Sequence, residues 1–250
     1  MKLIAFIPAR LESKRFPNKI LRKIYDLPMV EHVRRRALIS KVFDKVYVVT
    51  NSTKVKKVIN AYGGEVILSK KKHHNGTSRV SEIASKIKFD YGFILFGDEP
   101  FMNPNKILQC AKKIKKDKID IYNVVTNLEK NDLKSKHVVK SLIKSNYIID
   151  YFRIKKKIPS NINLKKSSGL LILNKKILVD YNNLIAKKKE KNLKIEQFRF
   201  LENDISIKPI YIRNIYPSIN TKKEFADLIK VINKNKKESR IINKIKNNLF

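Results

Sequence analysis

Residues 2–19 read KLIAFIPARLESKRFPNK. Five consecutive apolar residues end at Pro8, and four cations follow closely: Arg10, Lys14, Arg15 and Lys19. The apolar run reads as a buried first strand. The loop after it carries none of the glycines of a dinucleotide fingerprint or a P-loop. Pro8 and Pro17 stiffen it instead, which lowers the cost of ordering it on binding. Arg10 and Arg15 can offer forked hydrogen bonds to phosphate oxygens, and Lys19 adds a mobile point charge. Such a loop suits a triphosphate. A nucleic-acid patch and a solvated basic loop are the alternatives.

Outward from this stretch, short apolar runs alternate with helical periodicity. MVEHVRRRALIS reads as an amphipathic helix, KVYVVTN as a second strand, and TKVKKVINAYGG as a helix closed by Gly63 and Gly64. EVILS is a third strand, NGTSRVSEIASKI a loop running into a helix, and YGFILFGDEP a fourth strand, apolar on both faces over residues 93–96. This alternation predicts right-handed βαβ units and a mainly parallel sheet. In open sheets of this kind the ligand lies beyond the carboxyl ends of the strands. Residues 8–10, Asn51 and Asp98 fall at such ends, so the cationic loop and an acidic turn converge on one rim.

The second half is less regular. IYNVVTNL, HVVKSLIK, YIIDYF, SSGLLILN and ISIKPIYI read as strands, with KSN a hairpin turn. NLKIEQFRFLEND and TKKEFADLIKVIN read as helices, and the tail after Lys234 as a solvated, frayed helix. Residues 134–201 form a candidate inserted subdomain, although no Gly/Ser-rich linker marks its edges.

The formal net charge is +35 in 250 residues, which invites a nucleic-acid reading. Of the 57 basic residues, however, only eleven are Arg, the residue suited to bidentate readout, and the lysines are spread over nearly every segment. The pattern predicts weak adhesion to polyanions and no specific nucleic-acid partner. No apolar run approaches the ~18–20 residues of a membrane span, and the apolar start is too short for a signal peptide. The single cysteine, Cys110, excludes an intramolecular disulfide framework and suits the cytoplasm. Its expected place is a helix core.

Two further motifs carry chemistry. In GDEP, residues 97–100, Gly97 permits close backbone approach, and Asp98 is a hard oxygen ligand suited to Mg²⁺ shared with nucleotide phosphates. A plain turn is the alternative. In NGTSR, residues 75–79, a loop enters a helix whose N-terminus, with Gly76, Thr77 and Arg79, could take an anion or a base edge. An ordinary helix capped by Thr77 competes with that reading. His73 and His74 lack acidic or cysteine partners at ligand spacing and read as surface residues.

PARLESKRFPNK is similar to the opening signature of the CMP-sugar synthetases, most closely the 3-deoxy-manno-octulosonate (Kdo) cytidylyltransferases. GGEVILSKKKHHNGTSR, FGDEP, VVK, IEQFRFL and SINTKKEF follow in that family's order and at about its spacing. The resemblance implies a three-layer, Rossmann-like α/β fold of the nucleotide-diphospho-sugar transferase type, a single domain over residues 1–250, and a homodimer. Residues 134–201 would then serve sugar binding or dimerisation. The implied reaction joins CTP to a sugar acid for lipopolysaccharide or another surface glycan and releases pyrophosphate.

By the same resemblance, Arg10, Lys19 and Asp98 are catalytic. Pro8, Ala9, Arg10, Arg15, Lys19, Asn75, Gly76 and Arg79 bind the nucleotide. Glu196, Gln197 and Arg199 lie toward the sugar acid, and Asp98 with Asn220 holds Mg²⁺. The chain departs from the family pattern at Asn220 and Asn51, each usually Asp. Phe96 stands for the usual Gln, Ser78 for Glu, and Ser167 or Ser168 for His. These departures keep open a different acceptor (a nonulosonic acid, an amino-Kdo or a phosphonate) or a catalytically weak nucleotide-binding protein.

Overall fold

The computed structural model describes residues 1–13, 15–129, 131–154 and 163–247; Lys14 of the cationic loop lies outside them. The opening apolar run is strand β1 (Leu3–Pro8), buried along its whole length. A two-residue hairpin, β2 (Lys23–Ile24) and β3 (Leu27–Pro28), leads into α1 (Met29–Ile39). The expected alternation follows: β4 (Lys45–Thr50), α2 (Thr53–Ala61), β5 (Glu65–Leu68), α3 (Gly76–Ala84), β6 (Tyr91–Ile94), α4 (Pro104–Asp117) and β7 (Ile121–Thr126). Ser52, Asn75 and Asn103 cap α2, α3 and α4 by accepting backbone N–H groups of the first turn. The cap of α3 is thus Asn75, not Thr77.

Strands β8 (Lys140–Lys144) and β9 (Tyr147–Phe152) form the expected hairpin. Its turn residues Ser145 and Asn146 both have positive φ, 49° and 64°, as a twist-matched two-residue turn requires. Then come β10 (Asn163–Asn174), α5 (Lys175–Asp180), α6 (Lys188–Leu193), α7 (Phe198–Leu201), β11 (Lys208–Tyr211), α8 (Lys222–Asn233) and α9 (Lys236–Lys246).

Among the described residues the main sheet runs β11-β7-β10-β6-β1-β4-β5, with β8 and β9 continuing from β10. The block β6-β1-β4-β5 is parallel, and β10 enters antiparallel between β6 and β7. Side chains of β1 alternate between two cores. Leu3, Ala5 and Ile7 pack with Val33 of α1, Val55 of α2 and Cys110 of α4; Ile4 and Phe6 pack with Val80 of α3, Leu178 of α5 and Phe198 of α7. Helices cover both faces, giving three layers. Cys110 is fully buried on α4, as expected.

Two readings need correction. NLKIEQFRFLEND is not one helix: Lys194, at φ 52°, closes α6 in the left-handed region, Ile195 turns into the core, and only Phe198–Leu201 is α-helical beyond it. The tail is not merely solvated either. On α9, Ile242 and Ile245 are buried, Glu238 accepts from Arg36 Nη2 at 2.7 Å, and Arg35 Nη1 donates to the Ile245 carbonyl at 2.6 Å.

Candidate active site

The loop after β1 is fixed by its own aromatic residue. Phe16 is buried, stacks edge-on against Phe225 of α8 at 5.8 Å, and lies under the Arg22 guanidinium. Asn18, in the left-handed region at φ 55°, then starts a single 3₁₀ turn, Lys19–Leu21. This aims Lys19 at the rim, where its side chain is only 13% exposed. The ammonium donates to Asp98 Oδ2 at 2.6 Å, the Ile219 carbonyl at 2.8 Å and Asn220 Oδ1 at 3.3 Å. Arg15 reaches the same place: Nη2 donates to Asn220 Oδ1 at 3.3 Å, and Nη1 lies 2.9 Å from His137 Nδ1.

Asp98 is held by the turn that ends the β6 run. Glu99 N bonds to the Phe96 carbonyl, and Ile219 N to the Asp98 carbonyl at 2.9 Å. That second bond ties the turn to the segment entering α8, where Glu224 accepts from the backbone of Asn220 and Thr221 in a capping box. Segments about 80 and 200 residues from Lys19 therefore meet at its ammonium. Gly97 is not required by crowding: an added methyl would sit 3.5 Å from the Pro8 carbonyl, an ordinary contact. Gly76 is required, since a methyl there would lie 2.7 Å from the Phe96 ring and 2.9 Å from Pro8 Cγ.

The neighbouring acid Glu99 is half-buried. Glu99 is pushed up to about 8 by burial and by the charge of Asp98. It accepts from Gly169 N at 2.9 Å, beside the irregularity in β10 between Ser167 and Leu171. Arg10 is exposed, whereas Arg79 is buried and donates to Ser69 Oγ at 2.7 Å. Burial, and then the charge of Arg10, hold Arg79 below the usual guanidinium range. Two cations facing one volume favour an anion there.

The N-terminus of α3 already holds a carboxylate. Glu196 accepts from Thr77 N and Oγ1 at 3.3 and 3.1 Å, so this helix end is not the open anion site its sequence allows. Burial pushes Glu196 up to about 7, opposed by the Thr77 bonds. Asn75 spends its side chain on structure: Oδ1 accepts from Ser78 N, and Nδ2 donates to Tyr181 Oη at 2.9 Å and Glu190 Oε1 at 3.2 Å. Glu190 takes both Arg199 bonds at 2.7 Å, with that guanidinium over the Tyr181 ring. Gln197 is buried alongside. His73 is no surface residue: its ring contacts Glu82 at 2.5 Å and Ser78 Oγ at 2.8 Å, and its side chain is 4% exposed.

The structure thus unites Arg15, Lys19, Asp98 and Asn220. It sets Arg10 near Arg79, and it gathers Asn75, Gly76, Glu196, Gln197 and Arg199 into an internally bonded wall. Sequence reasoning missed His137, Tyr181 and Glu190, whose contacts with Arg15 and Asn75 join residues more than 100 positions apart. Among the described residues no three His, Cys, Asp or Glu side chains form a metal-ligand group, and no helix is long and apolar enough to cross a membrane. The oxygen donors converging on Lys19 are one carboxylate, one amide and one carbonyl. Such hard donors around a cationic point fit Mg²⁺, which commonly takes one or two protein ligands beside substrate phosphates.

A family model described as cytidylyltransferase matches residues 4–207. A protein of Chlorobium limicola named 3-deoxy-manno-octulosonate cytidylyltransferase is 30% identical over 239 residues, covering 92% of this chain and 96% of its own. One of the same name from Christiangramia forsetii is 29% identical over 218 residues, covering 84% and 88%. The solved structure of CMP:2-keto-3-deoxy-manno-octonic acid synthetase, complexed with CTP, has the same fold. It aligns with a TM-score of 0.85 at 24% identity, over 93% of this chain and 98% of that one.

Proposed function

Because the chain belongs to the cytidylyltransferase family, we propose that this nucleotidyltransferase joins CTP to the anomeric hydroxyl of a Kdo-like 3-deoxy sugar acid. The products are a CMP-sugar and pyrophosphate. The observation that carries this reading is the convergence of Arg15, Lys19, Asp98 and Asn220 at the carboxyl end of the central strands. Arg10, Arg15 and Lys19 hold the triphosphate. Pro8, Ala9, Gly76 and Arg79 enclose the cytidine, with Asn75 fixing that wall. The sugar acid lies toward Glu196, Gln197 and Arg199.

Asp98 and Asn220 would hold Mg²⁺, which supplies neutralisation of phosphate charge when bound. The sugar oxygen forms a bond to the α-phosphorus as the bond to the bridging oxygen breaks, and the hydroxyl proton leaves to solvent. Lys19 and Arg15 stabilise the departing pyrophosphate, so catalysis is positioning and electrostatics without a covalent protein intermediate. CTP as substrate and the single buried thiol support a cytoplasmic site of action, ahead of lipopolysaccharide or surface-glycan assembly. Exposed Tyr147, Ile149 and Ile154 support self-association into a homodimer through the 134–201 segment.

The test is pyrophosphate release from CTP, ATP and GTP against a panel of Kdo, amino-Kdo, nonulosonic acids and phosphonates. Turnover restricted to CTP with Kdo-type acceptors is expected. Turnover only with another acceptor class moves the reading to that class, and CTP binding without release with any acceptor leaves a nucleotide-binding protein.

A further inference from the structure

We propose that His137 is a positioning residue for the nucleotide site: it holds Arg15 ready for the triphosphate without neutralising it. The inference rests on the proposed use of CTP. His137 lies in the exposed segment before β8, 122 residues from Arg15, yet its Nδ1 is 2.9 Å from Arg15 Nη1. A guanidinium can only donate, so Nδ1 carries the lone pair and the ring proton sits on Nε2. The second anchor is Asn220 Oδ1, again a neutral acceptor.

Contrast Lys19, whose ammonium is paired with the Asp98 carboxylate at 2.6 Å. An arriving phosphate must compete with a full negative charge for Lys19 but with only two neutral acceptors for Arg15. Among the described residues these contacts use two of the five guanidinium N–H groups, leaving three for phosphate oxygens. The histidine is itself pinned, because Arg153 Nη1 donates to the His137 carbonyl at 3.0 Å and to that of Lys136 at 3.4 Å. Those bonds fix the backbone under the imidazole. Without the ring, Arg15 recovers rotamer freedom, and the nucleotide must order it on binding.

The experiment is calorimetric titration of CTP into the full chain, as wild type, His137→Ala, His137→Gln, Arg15→Ala and the double variant, with thermal melts as the folding control. Ordering one long side chain corresponds to a loss of about threefold to tenfold in affinity, and that is the expected effect of His137→Ala. His137→Gln, whose amide oxygen can accept from Arg15, restores most of it. In the Arg15→Ala background His137→Ala adds no further loss. An unchanged affinity in His137→Ala, an equal loss in His137→Gln, or an undiminished effect in the Arg15→Ala background overturns the inference and leaves the functional reading standing. A wild type that does not bind CTP overturns both.

Discussion

At the scale of single residues, geometry separates a few cations from the many. Arg15 sits at the rim among neutral acceptors, whereas Lys187 is exposed and its ammonium donates to the Glu202 carbonyl. A charge-assisted contact is worth about 1.5–3 kcal/mol, so Arg15→Ala should weaken CTP binding by ~10–150-fold. Lys187→Ala removes the same charge but only a salt-screened attraction. Calorimetry at physiological salt compares them, and equal losses would reduce the opening loop to generic polyanion adhesion. At Asn220 the amide oxygen brings no negative charge to the oxygen donors around Lys19. Asn220→Asp should therefore lower the Mg²⁺ concentration giving half-maximal initial rate. An unchanged Mg²⁺ profile would remove residue 220 from the metal site. Arg15 was legible from its residue type, because Arg in a stiff loop after a buried strand announces phosphate chemistry, and Asn220 only through the family resemblance. His137 was not legible, since nothing local distinguishes it from His73 or His74.

At the scale of elements, α3 shows how packing reassigns residues. Its N-terminus reads as an anion site, and what it holds is the chain's own Glu196 carboxyl. Only the fold brings residue 196 to residue 77, so a local reading could not find it. The same holds for EQFR, where Lys194 breaks the helical periodicity and Arg199 turns to Glu190. A pH signature follows. Burial raises the Glu196 carboxyl from an ordinary 4.5 to about 7, so between those values the folded state binds more protons than the unfolded state. The stability it contributes is complete below about 4.5 and falls as pH rises to about 7, then levels. Glu196→Gln stays neutral throughout. Its melting temperature should gain on wild type across that window and hold the gain above it. A difference curve flat from pH 4.5 to 7 would mean that Glu196 is not held neutral by the fold.

At the scale of the molecule, the parallel block follows the alternation visible in the sequence. The antiparallel entry of β10 and the docking of α9 do not, because each depends on partners more than 70 residues away. Glu238 on α9 is the partner of Arg36, 1% exposed on α1. Removing it strands a buried charge at a cost of about 3–5 kcal/mol. For a chain of this size Glu238→Ala should then lower the melting temperature by about 6–20 °C. A melt within a degree or two of wild type would show α9 to be a loose tail. The whole arrangement is best tested at its point of convergence. In ³¹P NMR of CTP, Kdo and Mg²⁺ with the wild-type protein, the triphosphate signals should give way to a CMP-sugar phosphodiester and pyrophosphate. With Asp98→Asn, folded by circular dichroism, they should persist. Conversion by Asp98→Asn at the wild-type rate, or no conversion by wild type, would contradict cytidylyl transfer at this rim.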